Sequence, residues 1–168
     1  MTEHLWPLLR LKAATDKELI EAYRRVYIET YVRNADGKEI ELYDWNGNRV
    51  IFRAGAFNHA FSESSDYRFG GGEHDIPFSK KRARCILWIK EVIAATKGHI
   101  ERRGELRQSK RRRVLIVVEE KYVVVLAMGK KPKELEFISA FIANEQYLAR
   151  IKGNSSLLEI KNPSLNGD

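Results

Sequence analysis

Tyr122-Val123-Val124-Val125-Leu126-Ala127-Met128 anchors the reading of this chain as a β-meander. It is a β-branched run, and a second, Val114-Leu115-Ile116-Val117-Val118, precedes it across the turn Glu119-Glu120-Lys121. A third run, Leu135 to Ala143, follows Gly129-Lys130-Lys131-Pro132-Lys133. Runs of this composition separated by turn-forming residues predict three antiparallel strands in meander order, with a fourth within His99 to Arg107. Strict alternation in the third strand would put Leu135, Phe137, Ser139 and Phe141 on one face and Ile138, Ala140 and Ile142 on the other. Ser139 is then a hydroxyl framed by aromatics, whose plainer role is a bond to backbone or water. Asn144, Tyr147 and Lys152 lie at or after the end of this strand, where they can edge a cleft over the sheet.

Toward the N-terminus the period changes. Thr15 and Glu18 have capping-box spacing, and Leu19, Tyr23, Val26, Tyr27 and Tyr31 recur at helical intervals, so residues 16–32 read as an amphipathic helix. Short β-like patterns at 38–44 and 49–53 flank Asn46-Gly47 and predict a hairpin. A short helix from about Ala56 to Ser62 follows, then a polar surface loop from Ser64 to His74 containing Gly70-Gly71-Gly72. No Lys-Ser/Thr pair closes those glycines, so they do not form a phosphate-binding P-loop. Ser79 caps a helix running to about Thr96 and stopped by Gly98, with Ala83, Ile86, Leu87, Ile89 and Ile93 available to the core. Its first turn holds Lys80, Lys81 and Arg82, with Arg84 beyond. Cations there oppose the helix dipole, which suggests either a bound phosphate or a solvated charged face.

The 168 residues, 43% hydrophobic, suffice for one sizeable core, and the length favours a single compact domain. Within it the pattern divides into a helix and hairpin extension (1–54), a central core (55–153) and a flexible C-terminal tail (154–168). The fold class is α+β, with N-terminal helices and a small hairpin packed on a C-terminal antiparallel sheet of about four strands. Thirty Lys and Arg against 23 Asp and Glu give a net charge of +7, a surface that attracts polyanions such as RNA, DNA or an acidic protein. No secretory leader or membrane span is read in the chain, so a cytoplasmic location without membrane attachment is the expectation. Cys85 is the only cysteine and reads as a buried small hydrophobe.

Four histidines are present, and none sits in a cluster with metal-ligand spacing, so neither a metal nor a cofactor is expected. His59 is the informative one. In Ala56-Phe57-Asn58-His59-Ala60-Phe61 the apolar side is Phe57, Ala60 and Phe61, and helical spacing turns His59 roughly opposite, away from the core. It is either an ordinary surface histidine or part of a site.

The order of these elements resembles a family. An Asn-His-Ala-Phe segment, a Ser-Lys-Lys-Arg-Ala-Arg helix leading into Leu87-Trp88-Ile89-Lys90, and Tyr122 to Leu126 paired with Phe137-Ile138-Ser139-Ala140-Phe141 look like the phage-associated branch of the barnase/EndoU/colicin/RelE superfold. The resemblance covers about residues 52–152 and rests on short motifs in order. It implies helices on an antiparallel sheet and metal-free RNA cleavage by a toxin-like protein of phage or mobile elements. Carried over, it suggests His59 as catalytic histidine, Arg82 as the helix cation near the phosphate, Ser139 as the strand hydroxyl and Tyr147 as the candidate tyrosine. The family often has threonine where Ser139 stands.

On that reading the 2′-hydroxyl of RNA attacks the adjacent phosphorus, and Lys81, Arg84 or both join Arg82 in clamping the charge. Lys110 to Arg113, with Arg102, Arg103 and Arg107 before them, serve affinity or solubility, so Arg111, Arg112 and Arg113 are candidate RNA-binding residues together with Asn144. The expected partners are transfer or other single-stranded RNA and an antitoxin or immunity protein. The alternative is a non-catalytic RNA- or DNA-binding or interaction domain on the same scaffold, or a phage structural protein that binds DNA.

Overall fold

Complete burial of Tyr122 to Leu126 requires that the central strand be covered on both faces, and the computed structural model arranges the rest of the chain to do so. It describes residues 3–63, 78–107 and 109–163. Seven strands, β1 (Leu42–Tyr43), β2 (Arg49–Ile51), β3 (Ile100–Arg107), β4 (Lys110–Val117), β5 (Tyr122–Met128), β6 (Glu134–Ile142) and β7 (Ser155–Lys161), form one sheet in the order β1-β2-β6-β5-β4-β3-β7. Among the described residues five α-helices accompany it: α1 (Asp16–Tyr27), α2 (Ala56–Ala60), α3 (Lys80–Arg84), α4 (Trp88–Ala94) and α5 (Glu145–Gly153).

The α+β class and the β4–β5–β6 meander agree with the sequence reading, and β3 is the fourth strand it anticipated. The sheet is larger and mixed. β2 joins it in parallel with β6, Val50 opposite Leu135, so the hairpin placed in an extension belongs to the same sheet. Residues 155–161, expected in a flexible tail, form β7 against β3. A bulge opposite Arg102 and Arg103 breaks its alternation, which hides the strand pattern. The sheet curls until its two ends meet: Trp45 Nε1 and Asn46 Nδ2, in the turn after β1, donate to the Glu159 carboxylate of β7 at 3.1 and 3.2 Å. Gly47, at φ +84°, closes that turn, and Asp44 accepts the backbone N–H of Asn46 and Asn48.

One face wraps α4. Leu115, Val117, Tyr122, Val124, Leu126, Leu135, Phe137 and Ala140 meet Trp88, Ile89, Val92 and Ile93 there, together with Tyr23, Tyr27 and Tyr31. The second face carries Val114, Ile116, Val123, Val125 and Phe141, partly covered by Leu148 and Ile151 of α5. A bulge between Val125 and Leu126 leaves Ile138 without an opposite residue, so Ser139 pairs with Val125 and Phe137 with Leu126. Leu135 and Phe137 therefore face α4, whereas Ser139 and Phe141 face the other way; strict alternation would have put all four together.

Of the two long helices expected from the sequence, one spans its expected residues 16–32 with a change of pitch and the other is interrupted. Thr15 caps α1 as its spacing implied, accepting the Glu18 N–H at 3.1 Å, but the last turn, Ile28–Val32, is π-helical. The helix expected from Ser79 to Thr96 breaks at Cys85 to Leu87, because tertiary donors take the carbonyls there: Leu9 N–H on Arg84, Tyr122 Oη on Cys85 and Tyr31 Oη on Ile86, at 2.8, 3.3 and 2.5 Å. No local pattern announces such long-range bonds. The expected Gly70-Gly71-Gly72 loop lies outside the described residues. Among the described residues no helix is long and apolar enough to cross a membrane.

Phe137 is 1% exposed and stacks on Phe52 with ring centroids 4.9 Å apart. Phe137→Ala should therefore lower unfolding free energy by about 3–5 kcal/mol, read as a lower urea midpoint at unchanged slope.

Candidate functional site

β2 ends opposite Glu136, so from Phe137 to Ile142 no strand among the described residues pairs with β6 on that side; α2 and α3 pack there instead. Two links join these helices. Phe61 O, just past α2, accepts the N–H of Ser79, the cap of α3, at 2.7 Å, and Arg82 Nη1 donates to Ala60 O at 3.3 Å. Ser79 Oγ in turn accepts the Arg82 N–H at 3.0 Å, so its expected capping role holds. On the other side, Arg24 of α1 donates to Asn58 Oδ1 at 3.0 Å and lies over Phe57 at 4.7 Å. With Phe57, Ala60 and Phe61 buried, His59 is left half-buried on the outer side of α2.

Arg82 reaches over the edge of β6 onto the second face, its guanidinium carbon 5.1 Å from the Phe141 ring centroid. Tyr147 of α5 meets the same ring edge-on at 5.3 Å, and Arg150 lies 5.9 Å from the Tyr147 ring centre. Arg112 of β4 projects to this face by alternation from Val114 and Ile116. Both Arg82 and Arg112 lie within electrostatic reach of His59. A half-buried imidazole, two guanidiniums and a phenol 38% exposed thus share one patch at the rim of the second face.

The electrostatics follow from this crowding. Burial, then the positive charges of Arg82 and Arg112, hold the His59 imidazole below the ordinary histidine value of 6.5. Near neutrality the ring is consequently uncharged and can accept a proton. Burial also pulls the Arg82 guanidinium down, opposed by Tyr147 and Glu63, from a starting value high enough that it stays charged. Among the described residues no carboxylate forms an ion pair with Arg82 or Arg112. The patch is suited to an anion that brings a proton to be moved.

The other residues singled out from the sequence fall elsewhere. Ser139 shares the face but is only 4% exposed, in a row with Val125 and Val114, beneath the surface rather than on it. Asn144 caps α5, its side chain accepting the Tyr147 N–H at 2.8 Å, so it orients the helix that carries Tyr147. Lys81 is exposed and Arg84 half-buried on α3. Alternation divides the arginine run: Arg112 joins His59, whereas Arg111 and Arg113 take the opposite face. Helix α5 was missed in the sequence although Asn144, Glu145, Leu148, Ile151 and Gly153 form an N-cap, an acidic first turn, an apolar stripe and a terminator. Phe141, in the sequence one of the aromatics framing Ser139, is the ring on which the patch is assembled.

Comparison of the chain with protein families, with curated proteins and with solved structures finds no match.

Below pH 6.5 the unfolded chain takes up a proton at position 59 that the folded chain resists, so acidification destabilises the fold through this ring. In His59→Gln that contribution is gone. Urea unfolding of both proteins at several pH values between roughly 7.5 and 5 should show wild type losing stability relative to the variant as pH falls below about 6.5. A difference that stays constant with pH would contradict the described surroundings of His59.

Proposed function

We propose that this chain is an endoribonuclease that cleaves RNA without a metal ion. The observation that carries the reading is the half-buried His59, uncharged near neutral pH, held beside the guanidiniums of Arg82 and Arg112 on an open rim of the sheet. In the reaction, the His59 imidazole accepts the proton of the ribose 2′-hydroxyl, and the O2′ oxygen forms a bond to the adjacent phosphorus. The bond from phosphorus to O5′ breaks, leaving a 2′,3′-cyclic phosphate and, once O5′ is protonated, a 5′-hydroxyl. The Tyr147 phenol donates that proton, and the phenolate it leaves is reprotonated through solvent as the His59 imidazolium gives up the proton it accepted. Arg82 and Arg112 hold the non-bridging oxygens, where negative charge grows. Ser139 packs beneath the site and touches no substrate.

A non-catalytic RNA-binding domain is the second reading, favoured by the burial of Ser139 and by the arginines that lie outside the patch. The two readings separate in one assay. Transfer RNA and a generic single-stranded RNA incubated in EDTA should yield cyclic-phosphate ends, with turnover falling by about 10²- to 10⁴-fold in His59→Ala while binding is largely kept. Tyr147→Phe should lower turnover with KM nearly unchanged. Intact RNA with salt-sensitive binding, or undiminished cleavage in His59→Ala, would reject the catalytic assignment.

A further inference from the structure

Arg111 and Arg113 form a second concentration of charge. They line an open cleft of about 530 Å³ between the β3–β4 hairpin and the turn joining α5 to β7, with Gly104, Leu106, Asn154 and Ser156. Arg111 is opposite Leu106 and Arg113 opposite Gly104 in the β3–β4 register, so both guanidiniums leave the sheet on the face away from Arg112. Gly104 leaves room beside both: a Cβ at position 104 would come within 3.2 Å of Leu158 Cδ1, a tight contact with the end of an exposed side chain, and 3.5 Å of Arg113 Nη1.

The charges here are not balanced from within. Arg113 donates to the backbone carbonyl of Arg112 at 3.3 Å, and burial together with neighbouring Arg102 and Arg111 pulls its guanidinium below its ordinary value. Arg102 has one carboxylate, Glu159, at 3.3 Å, and that carboxylate also accepts from Trp45 and Asn46. Among the described residues neither Arg111 nor Arg113 forms an ion pair, although Glu105 is in the lining. Three cations crowded beside a cleft, of which Arg102 alone has an ion-paired carboxylate among the described residues, favour an external polyanion. Arg112 between them serves the opposite face, so the tip of the hairpin separates two sites for negative charge.

We propose that this cleft binds the phosphate backbone of single-stranded RNA flanking the scissile position, so that one strand crosses the tip of the β3–β4 hairpin from the His59 patch to Arg111 and Arg113. The inference rests on the ribonuclease reading for the identity of the strand, but its test does not require cleavage. Binding of the His59→Ala protein to RNA oligomers of about 4 and about 16 nucleotides is measured over a range of salt concentrations. Each phosphate neutralised on a single strand contributes a slope of about 0.7 in log K against log salt, so Arg111→Gln with Arg113→Gln should lower the slope for the long oligomer by about 1.4. Binding of the short oligomer, confined to the His59 patch, should be unchanged. Arg111→Gln alone, at an exposed position that leaves packing intact, should give about half that loss.

An unchanged slope for the long oligomer, or equal weakening of both lengths, would overturn the proposal. So would polyglutamate binding with the same dependence on Arg111 and Arg113, which would assign the cleft to an acidic protein segment. A slope that falls as expected in a chain that cleaves no RNA would keep the cleft and reject the catalytic reading.

Discussion

The side of β6 beyond the end of β2, left without a strand partner among the described residues, is the constraint from which the candidate site follows. β2 stops opposite Glu136, and from Phe137 onward the strand must be covered by something other than another strand. Helices α2 and α3 provide that cover, tied together through Phe61 O and the Ser79 N–H. Their apolar residues fill the space beside α4, so the polar ones, His59 and Arg82, emerge over the edge onto the second face. Placing a base and a cation together is thus a consequence of closing an edge. The bulge at Ile138 contributes by turning Phe141 outward to that face, where its ring receives Arg82 and Tyr147.

Part of this was legible in the sequence. The meander, the Thr15 and Ser79 caps, the Asn46-Gly47 turn and the outward direction of His59 all rest on local patterns of period or capping, and each is present. What was not legible depends on contacts distant in the chain. The parallel pairing of β2 with β6 joins residues about position 50 to residues about position 135, and no local signal encodes it. The break between α3 and α4 exists because Leu9, Tyr31 and Tyr122 compete for three carbonyls. The Ile138 bulge defeats a simple alternation argument for Leu135 and Phe137, yet leaves the shared face of Ser139 and Phe141 intact.

The site was legible in its types of residue more than in its membership. His59, Arg82 and Tyr147 were candidates from the sequence and lie around one patch; Ser139 is too deep and Asn144 is occupied as a helix cap. The arginine run reads as one feature in the sequence, although a strand necessarily sends neighbours to opposite faces, and that division puts Arg112 on one face and Arg111 and Arg113 on the other. Burial and the like charges of Arg82 and Arg112 disfavour the cationic form of His59, so protonating this ring costs stability under acid conditions.

On the proposed function, His59, Arg82 and Arg112 together receive a phosphate group. The most direct test is to follow the His59 ring by NMR as pH is varied, in the free protein and with a ribonucleoside 2′,3′-cyclic phosphate added. The account requires a midpoint below 6.5 in the free protein and a rise when the ligand binds, with the rise lost in Arg112→Gln. A midpoint at the ordinary value, unmoved by the ligand, would contradict it.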